Sequence, residues 1–146
     1  MPVFPSVEWF QAIADLVNKD PAFKHHGMVD TAMGVEVGDR FFAITFDGVE
    51  VTNVEEIEAA RAKQLDFTLV QSPEQWRAML ENIKQHGQAE LEYTLNSLDL
   101  ATAEEFARGD DYYRRDLFYR YNQSLQHFFD TSAKIDTQFE QEPARA

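Results

Sequence analysis

The chain has 146 residues, a formal net charge of −13 and 13% aromatic residues, and it contains no cysteine. The absence of cysteine excludes disulfides, thiolate catalysis and cysteine-based metal sites. The negative charge repels nucleic acid backbones and anionic membranes, so we expect no nucleic acid partner and no stable membrane insertion. We see no signal peptide at the N-terminus and no apolar run of membrane-spanning length. We therefore expect a single cytoplasmic domain over residues 1–146.

Two helices are predicted at the start of the chain. Ser6 is placed to cap the first helix, whose apolar residues fall on one face. This helix is expected to end near Asn18, because Pro21 disfavours helical geometry at Asp20. Asp20 in turn is expected to cap a short second helix, which ends at Gly27.

The pattern then changes to that of a three-stranded antiparallel meander. Runs rich in β-branched and aromatic residues are separated by the turn dipeptides Gly38-Asp39 and Asp47-Gly48. The middle run carries aromatic residues on both faces, so we expect it to lie centrally in the sheet, covered at least partly on both sides. The runs are Gly34–Val37, Arg40–Phe46 and Val49–Thr52.

A further strand is predicted to lead directly into a helix. Residues 66–71 have the composition of a half-buried strand. Ser72 and Gln75 have the spacing of a capping box, and Pro73 suits the first helical position. The helix that follows has one apolar stripe beginning at Trp76, so we expect this indole to face the sheet.

The remaining segments are predicted to be mostly helical. Residues 55–64 have the composition of a solvated short helix or loop. Residues 89–100 fit a strand or a helix, and the leucine spacing favours the helix. Residues 102–108 are predicted as a short helix, residues 111–134 as a long amphipathic helix and residues 135–146 as a frayed tail.

No motif for catalysis, metal binding or cofactor binding is recognisable. No glycine-rich phosphate loop or nucleophile elbow occurs. None of the four histidines has the i, i+4 partner or the helix-borne glutamate expected for zinc. We interpret His25 and His26 as surface residues at a helix end, and His127 as solvent-facing. We therefore predict no catalytic residue, no metal and no cofactor.

One basic cluster stands out in this acidic chain. It alternates with tyrosines and consists of Arg108, Arg114, Arg115 and Arg120. Guanidinium groups beside aromatic rings suit a phosphate or carboxylate headgroup. The alternative is local pairing with the aspartates at positions 110, 111 and 116.

Short segments in the first part of the chain resemble, in their order, the sterol carrier protein type 2 superfamily. Over residues 4–86 these segments are Pro5–Trp9, Asn18–Phe23, Val37–Arg40, Leu65–Leu69 and Pro73–Trp76. The resemblance implies a single α/β domain, with helices over a mostly antiparallel five-stranded sheet and an apolar tunnel between them. It also implies binding of sterols, fatty acids, acyl-CoA or phospholipids without chemistry. The chain departs from the family after the Trp76 helix, where it has an arginine-rich helix instead of a further strand and a Gly-Lys-rich segment.

We predict an α+β fold with a curved, mainly antiparallel sheet of four to five strands, covered by helices and followed by a long C-terminal helix. The leading functional hypothesis is non-enzymatic binding or transport of a hydrophobic ligand, such as a fatty acid, acyl-CoA, sterol or related lipid, between sheet and helices. The apolar set can also pack as a solid core. The lining candidates are Phe42, Ile44, Phe46, Phe67, Trp76, Met79, Tyr121 and Phe129. The headgroup candidates are Arg114, Arg115 and Arg120.

Two alternatives stay open at this point. The chain can be a protein–protein interaction module or a homodimer that uses the aromatic face of its C-terminal helix. It can also be an enzyme in which a tyrosine such as Tyr121, or an aspartate, acts as acid or base in the same cavity. Nothing in the sequence positions such a group.

Overall fold

The structure, a computed structural model, is an α+β fold, as predicted, and it describes residues 2–101 and 106–140. The strands are β1 (Val3–Phe4), β2 (Thr31–Val37), β3 (Arg40–Asp47), β4 (Glu50–Ile57), β5 (Phe67–Gln71), β6 (Ala107–Arg108) and β7 (Gln138–Phe139). The α-helices are α1 (Val7–Val17), α2 (Pro21–His25), α3 (Ala59–Ala62), α4 (Pro73–His86), α5 (Leu95–Ala101), α6 (Tyr112–Arg115), α7 (Leu117–Arg120) and α8 (Asn122–Asp130). Short 3₁₀ helices span Leu91–Tyr93 and Thr131–Lys134.

The main sheet has five strands in the order β4-β3-β2-β5-β6. The predicted meander is confirmed, because β2, β3 and β4 pair antiparallel in succession. β2 and β5 pair parallel, and the connection between them includes β3 and β4. At the far edge, β6 pairs antiparallel with β5 through Thr68 and Leu69. The sheet is therefore mixed and mainly antiparallel.

The two faces of the sheet have different surroundings. On β3, Phe42, Ile44 and Phe46 point to the face that the long helices cover, and they are buried. The opposite, outer face carries Phe41 of β3 and Val70 of β5, which are only partly buried. There α3 and the chain around β6 cover part of the sheet. This arrangement places the core on one face and leaves a groove on the other.

The predicted helix boundaries follow from local caps that the structure contains. The side chain of Ser6 accepts a hydrogen bond from the backbone N–H of Trp9, 3.0 Å away, at the start of α1. Ser72 and Gln75 form the predicted reciprocal capping box at the start of α4. α4 ends at Gly87, whose left-handed conformation (φ 82°) suits glycine. The predicted strand and helix in residues 66–87 are therefore confirmed.

Three segment predictions differ from the structure. Residues 55–57 belong to β4, because β3 offers backbone partners to the whole segment and this pairing outweighs its helix-favouring composition. Residues 107–108 form β6 instead of a helix; residues 102–105 of that prediction lie outside the described residues. The predicted tail includes β7, which pairs parallel with β1.

The predicted C-terminal helix over residues 111–134 is helical but divided. α6 ends at Asp116, and the non-helical backbone of Tyr121 (φ −105°, ψ 13°) separates α7 from α8. Phe118 of α7 and Phe129 of α8 are both fully buried in the one core. Burial of these two rings in the core therefore outweighs the tendency of this segment to form one continuous helix. No helix within the described ranges is long and apolar enough to cross a membrane.

Candidate functional site

The predicted apolar lining residues lie in the core between the sheet and the long helices. The most deeply buried of them, each no more than 2% exposed, are Phe42, Ile44, Phe46, Phe67, Trp76, Met79 and Phe129. Tyr121 is partly buried against the same cluster. Ring centroids of Phe46 and Phe128 lie 5.6 Å apart, and those of Phe67 and Phe118 lie 5.7 Å apart. The candidates thus pack against neighbouring core rings in this structure.

Trp76 occupies the space beneath α4. Its indole stacks on Phe129 with a centroid distance of 5.4 Å and an angle of 28°. The indole N–H donates a hydrogen bond of 2.8 Å to the carbonyl oxygen of Glu36, so the polar part of this buried ring has a partner. Trp76 therefore joins α4, α8 and β2 through a single side chain.

The three predicted headgroup arginines are in different surroundings. Arg114 donates from Nε to the carboxylate of Asp66 at 2.9 Å and from its guanidinium to the carbonyl oxygen of Gln64. Arg115 lies over the ring of Tyr112, with 5.5 Å from Cζ to the centroid. Arg120 lines a polar pocket that the other two do not line. The structure therefore does not bring these arginines together as one headgroup site.

The apolar face proposed for a partner is occupied by the chain itself. Leu117 and Tyr121 of this face are partly buried against the core. The other residues of the face in α7 and α8 are 0% exposed: Phe118, Leu125, Phe128 and Phe129. They pack in the same cluster as the sheet residues. Docking a second chain through this face would require the core to open.

An apolar groove of about 290 Å³ lies on the outer face of the sheet. Its apolar lining comes from β3, β5, α3 and the loop after α3, and consists of Phe41, Val70, Ala59, Ala62 and Leu65. Lys63, Arg108, Glu36 and Asp110 add charged groups of both signs. The groove is therefore apolar along its walls and has balanced charges among these lining residues.

Gly34 of β2 allows the chain to fold closely beside this groove. A Cβ atom at Gly34 would lie 2.5 Å from Oγ1 of Thr68 and 3.0 Å from Cδ1 of Leu65. Both residues line the groove, so a larger residue at position 34 would displace part of its wall. The glycine therefore has a packing role here in addition to any role in the strand.

Asp66 fixes the chain at the entrance to β5. Its carboxylate accepts hydrogen bonds from Oγ1 of Thr31 (2.7 Å) and from the backbone N–H of Ala32 (2.9 Å), besides the one from Arg114. Burial opposes its ionisation, but these hydrogen bonds outweigh burial and hold the pKa of Asp66 below its ordinary value. Asp66 thus links β2, β5 and α6.

A larger, polar pocket of about 840 Å³ lies among the helices. Its charged and amide side chains belong to α5, α7, α8 and the segments beside them, and include Asn96, Arg120, Gln123, Gln126, Asp130 and Lys134. Asp130 accepts hydrogen bonds from the backbone N–H of Ala89 (3.0 Å) and from the amide of Gln126 (2.9 Å). Burial raises the pKa of Asp130, although these two hydrogen bonds oppose the increase.

Two histidines and an aspartate form a hydrogen-bonded chain at the wall of this pocket. Nε2 of His26 lies 2.8 Å from Nδ1 of His127, and Nε2 of His127 lies 2.9 Å from Oδ2 of Asp20. The ring of Phe23 is perpendicular to that of His127, with centroids 5.5 Å apart. Burial opposes ionisation of Asp20, but hydrogen bonds from His127 and Ala22 outweigh it and lower the pKa of this carboxyl.

His26 lies at the end of α2, as predicted, but the interpretation of His26 and His127 as surface residues did not include their contact with each other. Both are partly buried and hydrogen-bonded to each other, although they are 101 residues apart in the chain. Asp20, which was predicted only as a helix cap, also makes the predicted contact to the N–H of Ala22. No local spacing pattern could have revealed the contact between His26 and His127, because it depends on how α2 and α8 pack together.

Comparisons of this chain with protein-family models, with curated proteins and with solved structures found no match.

Proposed function

We propose that this protein binds the hydrocarbon chain of a lipid-like ligand in the apolar groove on the outer face of the sheet. The observation that carries the proposal is the groove itself, with Phe41, Leu65 and Val70 as its largest apolar side chains. Ligand sites are typically concave and mostly apolar, with few polar groups. The resemblance to the sterol carrier protein type 2 superfamily supports the same class of ligand. The groove differs from the cavity predicted between the sheet and the long helices.

The size of the groove limits what it can hold. At about 290 Å³ it is close to the lower end of small-molecule sites, roughly 300 to 1,000 Å³. We therefore expect it to take a medium-length chain or one end of a longer chain. Burial of each methylene group contributes about 0.8 kcal/mol, which corresponds to about a fourfold gain in affinity until the groove is full.

The charges of the lining residues predict little selectivity for the headgroup. Lys63 and Arg108 are basic, whereas Glu36 and Asp110 are acidic. An anionic head and a neutral head of the same size should therefore meet similar net electrostatic interactions. We expect the chain length of the ligand to determine its affinity.

A chain-length series tests this proposal. Calorimetry with fatty acids and n-alkanols of six to fourteen carbons should show affinity that rises with length and then reaches a plateau. Ala62→Phe places a ring in the groove and should lower affinity by about tenfold or more, through lost methylene contacts. Ala78→Phe is the matched control, because Ala78 is an exposed residue of α4 outside the groove lining. Affinity independent of chain length, or equal losses in both variants, would contradict the proposal.

A further inference from the structure

The polar pocket among the helices contains basic side chains that have no part in the proposed hydrocarbon binding. Arg120 and Lys134 line it, and among its described lining residues Asp130 is the carboxylate. The chain has a net charge of −13, but the charged side chains that line this pocket are mainly basic. The carboxylate of Asp130 already accepts two hydrogen bonds from the protein. Arg120 lies over the ring of Tyr121, with 5.6 Å from Cζ to the centroid. Among the described residues, neither Arg120 nor Lys134 is in an ion pair. A small anion is the class of ligand that these cations favour.

The hydrogen bonds among Asp20, His127 and His26 leave one ring nitrogen open to the pocket. Asp20 has a lowered pKa and is a carboxylate, so it accepts the hydrogen bond and Nε2 of His127 donates it. Nδ1 of His127 and Nε2 of His26 share the next hydrogen bond. Nδ1 of His26 is the ring nitrogen that these contacts leave for a ligand. Within residues 2–101 and 106–140, this nitrogen has no protein hydrogen-bond partner.

The surroundings of His26 favour its neutral form. Burial, together with repulsion from His127 and His25, lowers the pKa of His26. At the wall of the pocket, Nδ1 of His26 can therefore form a hydrogen bond with a ligand hydroxyl, because a hydroxyl both donates and accepts.

We propose that this pocket binds a small anion that carries hydroxyl groups, as sugar phosphates and sugar acids do. Arg120 binds the anionic group, Lys134 adds positive charge to the pocket, and Nδ1 of His26 forms a hydrogen bond with a ligand hydroxyl. Asn96 and Gln123 supply amides for further hydroxyls. The volume of about 840 Å³ is within the usual range for small-molecule sites, about 300 to 1,000 Å³.

A matched pair of ligands tests the hydroxyl contact. Glucose 6-phosphate and cyclohexylmethyl phosphate have the same anionic group on a six-membered ring, but the second has no hydroxyls. Calorimetry at pH 7.5 should show that glucose 6-phosphate binds about tenfold more tightly, as one net hydrogen bond of about 1.4 kcal/mol predicts. Glucuronate against cyclohexanecarboxylate makes the same comparison for a carboxylate and distinguishes the two sources of the anion.

Variants then assign the contacts. His26→Phe keeps a ring beside Phe23 and should reduce the preference for glucose 6-phosphate, whereas His25→Phe, at an exposed neighbouring position, should keep it in full. Arg120→Ala should weaken both phosphates by about tenfold, since charge-assisted hydrogen bonds are the stronger kind. Lys134→Ala should weaken them by a smaller factor. Lys19→Ala is the matched control, at an exposed position outside the pocket lining.

An NMR measurement keeps the test independent of how well the variants fold. In the wild-type protein, long-range proton–nitrogen spectra should show that the Nδ1 signal of His26 shifts when glucose 6-phosphate is added. Equal affinity for the two phosphates, no binding of either, or the same loss in His25→Phe as in His26→Phe would overturn the proposal. Ala62→Phe should leave this binding unchanged, so failure here and failure of the groove proposal are distinguishable.

Discussion

Replacing Asp66 by asparagine tests the contact that fixes β5 and α6 in place. In the wild-type protein, Oδ2 accepts from Thr31 and Ala32, whereas Oδ1 accepts from Nε of Arg114. Asparagine retains one acceptor oxygen, which can serve Thr31 and Ala32. Its amide N–H₂ would then face the guanidinium of Arg114, donor against donor. The substitution thus removes the hydrogen bond to Arg114. The hydrogen bonds from Thr31 and Ala32 remain, but their acceptor is no longer charged.

The expected loss of unfolding free energy follows from these contacts. The Arg114 side chain is 43% exposed and that of Asp66 is 17% exposed. Solvent therefore screens this ion pair, and its loss costs about 0.5 to 1 kcal/mol. Weakening the other two hydrogen bonds from charge-assisted to neutral adds about 1 kcal/mol. We expect Asp66→Asn to lose about 1.5 to 2 kcal/mol in urea unfolding at pH 7, followed by tryptophan fluorescence.

The pH dependence gives an independent check on the same contact. Because the pKa of Asp66 in the folded state is below its ordinary value of 3.8, its charge contributes full stability above that value. This contribution is lost as the pH falls through the folded-state pKa. The difference between wild type and Asp66→Asn should therefore shrink on acidification below about pH 4. Asp47→Asn, at an exposed turn position, is the control and should change stability by less than about 0.5 kcal/mol.

Two results would refute this reasoning. One is an Asp66→Asn variant that matches Asp47→Asn in stability at pH 7. The other is a deficit in Asp66→Asn that stays constant down to pH 3, because that would locate its cause outside the ionised carboxylate.

Two further predictions concern the core and the wall of the groove. Trp76→Phe removes the hydrogen bond to Glu36 and part of the stack on Phe129, so it should cost about 2 to 3 kcal/mol in urea unfolding; a cost below 1 kcal/mol would contradict the packing described here. Gly34→Ala places a Cβ 2.5 Å from Oγ1 of Thr68 and should cost about 1 to 3 kcal/mol. Adding Thr68→Ala should recover part of that loss, and strictly additive losses would show that the clash does not occur.

The elements that the sequence predicts well are those whose signals are local. The capping box of Ser72 and Gln75 and the strand before it are contiguous, and both are present in the structure. The short strand β6 could not be predicted in this way, because its two residues become a strand only by pairing with Thr68 and Leu69. The contact of His26 with His127 likewise depends on two helices meeting. In this chain, the polar pocket is therefore a product of tertiary structure alone.

The arginine cluster shows how a sequence pattern can be divided by the fold. The sequence places four guanidinium groups within residues 108–120, three of them on the helix predicted over residues 111–134. In the structure, the helical segment is divided at Asp116 and Tyr121. The arginines on the separate pieces contact different parts of the protein. Arg108 lines the groove, Arg114 binds Asp66 and Arg120 lines the polar pocket.

Because the arginines lie in different surroundings, their replacement should affect different measured properties. Arg114 holds the segment to β5, so replacing it should change stability before it changes binding at either site. Arg120 lies beyond the first break, among the helices that cover the inner face, and its replacement should affect the pocket alone. A variant of Arg120 that weakened hydrocarbon binding would show that the segment transmits a change from the pocket to the groove. If binding of the anion also changed hydrocarbon affinity, thermodynamic linkage would require the groove ligand to alter anion affinity by the same factor.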